Sequence, residues 1–276
     1  MTASSGYKKV RLESSYHNKA LKTRRWTFVI CPNFGFLASP EPLMKNCELK
    51  LSFDRSNAYT SVLDVGSATP AIDYIEIKDC YAVTEYVSSE NIRSYFDRID
   101  YEPIRYEYDA CEVMVKSIPT GETEIRFDNL RGGILPLAMF AAIAPQSGLS
   151  GDKSTSSTFF KNHKVEEMNI TLNGNSVNGF PMTVKDGSPV FTLQKFLDTT
   201  NKYYNVMSSD TFTLMEFKYN YLWSHKFEAE SADRGWIGIN FKLSDSFSDN
   251  MCLVVWIISP TVLTLDKFHQ VEKINY

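Results

Sequence analysis

The chain has 276 residues, 43% of them apolar and 22% charged, and a formal net charge of −4. That balance excludes a disordered chain, and the length suffices for one or two domains with a sizeable core. An acidic pI near 5.7 also excludes nucleic acid held by the bulk surface, because modules that bind it carry a basic excess.

The 18 Phe, 15 Tyr and 4 Trp favour pleated, half-buried surfaces and lean the chain toward β structure. The one basic cluster is N-terminal: Lys8, Lys9, Arg11, Lys19, Lys22, Arg24 and Arg25. It reads as a solvated terminus rather than a nucleic-acid contact. The first 25 residues carry no apolar signal segment. The longest apolar stretch, Ile134 to Pro145, falls short of the roughly 20 residues a spanning helix needs. Cys31, Cys47, Cys80, Cys111 and Cys252 are widely spaced and odd in number, the pattern of reduced, mostly buried thiols in an intracellular, non-secreted protein.

In chain order, Arg25 to Cys31 is rich in β formers and is stopped by Pro32. Cys47 to Phe53 alternates cleanly, with Cys47, Leu49, Leu51 and Phe53 on one face, and this period of two predicts a half-buried strand. Gly66, Thr69 and Pro70 mark a domain boundary, giving units of 1–70 and 71–276. Short strands are expected at Ile75 to Ile77 and at Tyr81 to Val83. Ser89 to Phe96 has a cap and an apolar face at helical spacing.

Arg105 to Ile118 alternates loosely, with Cys111, Val113 and Val115 on one side. A turn at Ile118 to Glu122 leads to a strand at Glu124 to Phe127. Ile134 to Ala144 is nearly all apolar, as expected of a strand buried on both faces. Gln146 to Thr158 is a long Ser, Thr and Gly loop. Met168 to Leu172 is a strand that turns at Asn173-Gly174-Asn175, where Asn and Gly tolerate positive φ. A second helix opens at Ser188, with Pro189 at its first helical position, and stops near Asn201. Strands follow at Phe212 to Phe217, Trp236 to Leu243, Met251 to Ile258 and Val262 to Ile274. Many strands between turns, without alternating helices, predict an antiparallel sandwich.

Chemistry-bearing patterns are sparse. His17, His163, His225 and His269 are scattered, and His163 with Glu167 is the nearest approach to a metal spacing. Gly148 to Ser154 resembles a phosphate loop faintly, but Asp152 stands where that loop needs Gly, and it would repel the anion. Asn169-Ile170-Thr171 is a formal glycosylation sequon inside a predicted strand. No catalytic, cofactor-binding or metal-binding residue is proposed, and no enzyme activity or cofactor is expected.

The order of elements resembles the C-terminal part of the double jelly-roll major capsid protein of Polinton (Maverick) elements and adintoviruses. Asn46 to Ser56 resembles the strand that closes the family's first jelly roll, and Tyr74 to Cys80 the strand that opens the second. Asp128 to Pro136 is similar to a segment in which Leu-Pro precedes a buried strand. Ile170 to Val177 resembles its Asp-Gly hairpin, with Asn173 in place of the Asp. Trp236 to Ile274 follows the terminal pattern. The resemblance spans roughly residues 20 to 276.

It implies an all-β fold: an antiparallel jelly-roll β-sandwich with two short helices over 71–276, preceded by two strands of an incomplete first jelly roll within 1–70. It implies a structural protein of a viral or virus-like shell, located in the virion and, during assembly, in the host nucleus or cytoplasm. Its partners are copies of itself in a homotrimeric capsomer and other capsid proteins such as a penton protein. No sequence-specific nucleic acid and no membrane span are expected. The alternative is a β-sandwich binding module that recognises carbohydrate or protein through its loops.

Overall fold

The computed structural model describes residues 13–18, 23–27, 97, 102–152, 155, 160–184, 189–200, 214, 217, 221–227, 233–268 and 270–275. The strands predicted at Cys47 to Phe53, Ile75 to Ile77 and Tyr81 to Val83, and the helix at Ser89 to Phe96, fall on residues outside this set, Phe96 being adjacent to it. Near the N-terminus, β1 (Glu13–Asn18) pairs antiparallel with β2 (Thr23–Thr27) as a two-stranded ribbon. β2 takes up the start of the strand predicted from Arg25. β1 was not legible, because Glu13 to Asn18 carries no apolar alternation.

The main body is a two-sheet antiparallel sandwich. Its strands are β3 (Ile104–Ile118), β4 (Glu124–Ile134), β5 (Ala138–Pro145), β6 (Val165–Leu172), β7 (Asn175–Ser176), β8 (Met182–Thr183), β9 (Trp223–Lys226), β10 (Arg234–Leu243), β11 (Met251–Leu265) and β12 (Val271–Asn275). One sheet runs β3-β11-β5-β9, with β12 continuing the line of β5 along β11. The other runs β4-β10-β6, with β7 and β8 sharing the remaining edge of β6. Counting β7 and β8 as one interrupted strand and setting β12 aside, the eight remaining described strands of the sandwich fall in the spatial orders 1-8-3-6 and 2-7-4-5. That alternation of successive strands between sheets is the jelly roll, two interleaved Greek keys.

Alternation explains which face each strand buries. Ile237, Ile239, Phe241 and Leu243 of β10 face Met168 and Ile170 of β6 and the inner residues Met139, Ala141, Ile143, Leu253, Val255 and Ile257 of the other sheet. β5 is buried on both faces, as its unbroken apolar run predicts, but it begins at Ala138 rather than Ile134. Ile134 belongs to β4, and Leu135 to Leu137 make the corner. The Asn173-Gly174 hairpin forms as expected, with φ of 53° and 82°.

Four predicted boundaries move. Gln146–Leu149 forms a one-turn helix, α1, instead of loop. The second helix, α2, spans Val190–Thr199, with Pro189 as its cap rather than its first helical residue; the Pro189 carbonyl accepts the Leu193 N–H at 2.8 Å. Leu214 and Phe217 are helical where a strand was predicted. There the β-rich composition is overridden by packing, since Phe217 seats its ring against Phe196 of α2 at 5.6 Å.

The fourth is the break expected between Ile258 and Val262, where Pro260 does not end the strand. β11 runs unbroken to Leu265, and the last strand starts only at Val271. The Ile258 carbonyl accepts Leu137 N–H, so it faces the β5 edge. Pro260, two residues on, faces the same edge. There β5 pairing has ended at Ile258 and β12 pairing starts at Thr261. The missing N–H therefore falls in a gap of the ladder and forfeits no bond.

Candidate interaction surface

Exposed apolar side chains of the described residues include Trp236, Phe268 and Val271 besides two groups. The first is the outer side of β3. Val113 and Val115 are 55% and 52% exposed, and Cys111 lies exposed in the same row. The alternation of Cys111, Val113 and Val115 is as read from the sequence, but that side turns away from the core. Edge position decides this. β3 pairs with β11 alone among the described strands, and from Cys111 to Ser117 only Met114, on the inner side, is even half-buried. Cys111 thereby departs from the expectation of buried thiols, whereas Cys252 is buried as expected.

Beside this row, on the same face of the sheet, lies an apolar depression of about 320 Å³ lined by Phe140, Phe160, Phe196, Thr200, Leu222 and Trp256. Phe160 packs edge-on against Trp256 at 5.5 Å, and Phe196 edge-on against Phe140 at 6.0 Å. From Phe196 a chain of rings continues through Phe217, Tyr221 and Trp223 to Phe241 in the opposite sheet, at centroid distances of 5.0 to 5.9 Å. These aromatics are core, holding α2 on the sandwich and joining the sheets around the β9 edge. Burial pushes the Tyr221 hydroxyl up to about 12 and so keeps it neutral.

The second surface pairs Phe180, 58% exposed, with Phe191 of α2 at 5.8 Å, next to the exposed Val190.

The residues weighed for chemistry come out separately. His163 sits in a tight turn before β6 with φ of 50°. Its Nε2 is buried without a hydrogen-bond partner, and burial, aided by Lys161, lowers its pKa. Glu167 lies within β6, opposite Lys242 of β10. The Gly148 to Ser154 segment starts inside α1 and turns through Gly151 at φ of 95°. Asn169 is half-buried in β6, and its Oδ1 accepts the Ser176 hydroxyl at 2.6 Å. Among the described residues no three His, Cys, Asp or Glu side chains gather, and no helix is long and apolar enough to cross a membrane.

No family model matches the chain, and no curated protein matches it. Among solved structures, the crystal structure of the mavirus major capsid protein aligns with it at 9% identity and a TM-score of 0.34, over 63% of this chain and 41% of that one. The chain thus spans less than half the length of that protein.

Proposed function

We propose that the chain is a structural component of a viral or virus-like shell, the C-terminal part of a double jelly-roll major capsid protein of the Polinton and adintovirus type. The observation that supports this best is the 1-8-3-6 and 2-7-4-5 strand order. Jelly rolls serve as capsid, lectin and cupin domains, and the chemistry of the described residues favours the first. A cupin centre needs converging ligands, but His163 lies before β6 and His225 on β9, where its ring stands edge-on to Phe227 at 4.8 Å. A sugar site needs polar groups set among its aromatics. In the aromatic depression beside β3, Thr200 is the single polar side chain beside five apolar ones.

What a shell protein needs is stiff walls and sticky edges. Here β3 and β11 pair over 15 residues, and apolar side chains are exposed at the β3 edge and around Phe180. On this reading the chain has no enzymatic role, forms trimers, and joins other capsid proteins in the virion. Light scattering on the purified chain, with negative-stain electron microscopy, tests it. Trimers with a pseudo-hexagonal outline, or larger shells, are expected. A chain that never exceeds a dimer at any concentration overturns it.

A further inference from the structure

The edge of β3 that no described strand pairs matches itself. On β11 the Ile258 carbonyl accepts Leu137 N–H at 2.8 Å and the Asn250 carbonyl accepts Gln146 N–H at 2.9 Å, so the even-numbered residues of this strand point their backbone groups toward the β5 side. Its odd-numbered residues therefore point at β3. Through the register Ile257↔Glu112, the even-numbered residues of β3 answer them. Cys111, Val113, Val115 and Ser117 must turn their N–H and C=O groups the other way, outward. Among the described residues no strand takes them up, and Cys111, Glu112, Val113, Val115, Lys116 and Ser117 are all exposed. A bare edge of this kind pairs readily with another strand, and here no proline or bulge blocks it.

We propose that this edge binds the same edge of a second copy, antiparallel, about a two-fold axis through Met114. In that register Glu112 faces the partner's Lys116, Val113 faces the partner's Val115, and Cys111 faces the partner's Ser117. The outward-pointing residues form the hydrogen-bonded pairs. Glu112 and Lys116 fall on non-hydrogen-bonded pairs, where side chains approach most closely. Each copy contributes one Glu and one Lys, so two opposite-charge pairs form on one face and two valine pairs on the other. A backbone ladder also forms with the axis at other residues, but charge selects among them. An axis at Glu112 or Lys116 sets like charges together, and one at Val113 or Val115 gives Lys116 no carboxylate across the seam and leaves Glu112 only its own-chain ion pair with Arg131 at 3.7 Å. The interface is isologous, so it closes as a dimer, and it joins the two β3-containing sheets into one continuous sheet. It goes beyond the shell reading, which asks for threefold contacts and does not need this one.

Sedimentation velocity on the full chain over a concentration series tests the seam. A reversible two-fold association, of single chains or of trimers, is expected for the natural sequence. Lys116→Glu sets Glu against Glu and should weaken it at least tenfold, while Glu112→Lys combined with Lys116→Glu should restore it. Val113→Pro removes an N–H that points only to the free edge. It should leave the melting curve of the monomer nearly unchanged and abolish the dimer. A monomeric natural chain, or a dimer indifferent to Lys116→Glu, overturns the proposal, as does a charge-swapped chain that stays dissociated. Trimers that ignore these substitutions would support the shell reading and still overturn this one.

Discussion

Asn173 and Trp236 hold each other twice. The Asn173 side-chain carbonyl accepts the Trp236 N–H at 3.0 Å, and the Asn173 N–H donates to the Trp236 carbonyl at 2.9 Å. The residue that makes the β6–β7 turn is thus also clamped to β10, at the end where Gly235 leaves room for it. A Cβ at Gly235 would lie 2.8 Å from Asn173 Oδ1. Asn173→Ala removes the side-chain bond and leaves an alanine at φ of 53°, which L-residues other than Asn, Asp and Gly resist. Chemical denaturation should show a loss of about 1–3 kcal/mol. Asn173→Gly should recover the turn but not the bond, and lose less.

Gly238 marks a second close approach. Pairing advances from Ile237 to Ile239 on β10 while β4 advances from Arg131 to Phe127, so Asp128 to Leu130 bulge opposite a single glycine. A Cβ there would lie 2.7 Å from Thr171 Oγ1 and 2.9 Å from the Phe127 carbonyl oxygen, and the second of these is backbone. Gly238→Ala should destabilise by about 2 kcal/mol or more. Gly132→Ala, with its nearest atom at 3.8 Å, should fall within about 0.5 kcal/mol of the natural protein. Equal effects of the two substitutions would refute the bulge as the cause.

Both glycines show how far the sequence could be read. The Asn-Gly turn was legible because positive φ is a local demand that local residues meet. Gly238, in the middle of a strongly alternating run, carried no mark of its role, because its reason lies in β4, more than a hundred residues away. The same division runs through the fold. The inner faces of β6 and β10 follow directly from alternation, and β5 from its unbroken apolar run. The direction in which Cys111, Val113 and Val115 face was not legible, since alternation defines two faces without saying which meets the core. Only the position of β3 at a sheet edge settles that. The break expected between Ile258 and Val262 failed for a related reason: the Pro260 there forbids a ladder bond, and whether one is required depends on where β5 and β12 end.

Acid should loosen the α2–β9 seam. Burial lowers the His225 pKa to about 4, Lys195 adds to the shift, and Asp198 opposes it. An unfolded histidine titrates near 6.5, so the folded state prefers the neutral ring. The stability this preference confers is fully present above pH 6.5 and is lost as the pH falls toward 4, where the unfolded chain takes up the proton first. His225 is half-buried, and solvent screening reduces the effect to about 1–3 kcal/mol across that window. Denaturation midpoints measured from pH 7 to pH 4 should fall accordingly. His225→Gln should flatten the slope in that range, and an unchanged slope would remove the histidine from the account.

Phe196 is the link on which α2 depends. Its side chain is 7% exposed, edge-on to Phe140 at 6.0 Å on one side and tilted against Phe217 at 5.6 Å on the other. It therefore connects the outer face of β5 to the ring series that reaches Phe241. The N-cap Pro189 makes no side-chain hydrogen bond, the C-cap Thr200 hydroxyl donates to the Phe196 carbonyl at 2.8 Å within the same helix, and a ten-residue helix is marginal in water by itself. Phe196→Ala removes the ring from both contacts and opens a cavity beneath the helix, at a cost of about 3–5 kcal/mol. Val190, one turn and a half earlier and 57% exposed, is the matched control, and Val190→Ala should change stability by less than about 0.5 kcal/mol. Amide exchange separates loss of the helix from loss of the fold. In Phe196→Ala, protection should fall most in Leu193 to Thr199 and in β9, and least in β6 and β10, whose pairing does not involve the helix. Uniform loss of protection across both sheets would show that Phe196 supports the whole sandwich rather than the attachment of α2 to it.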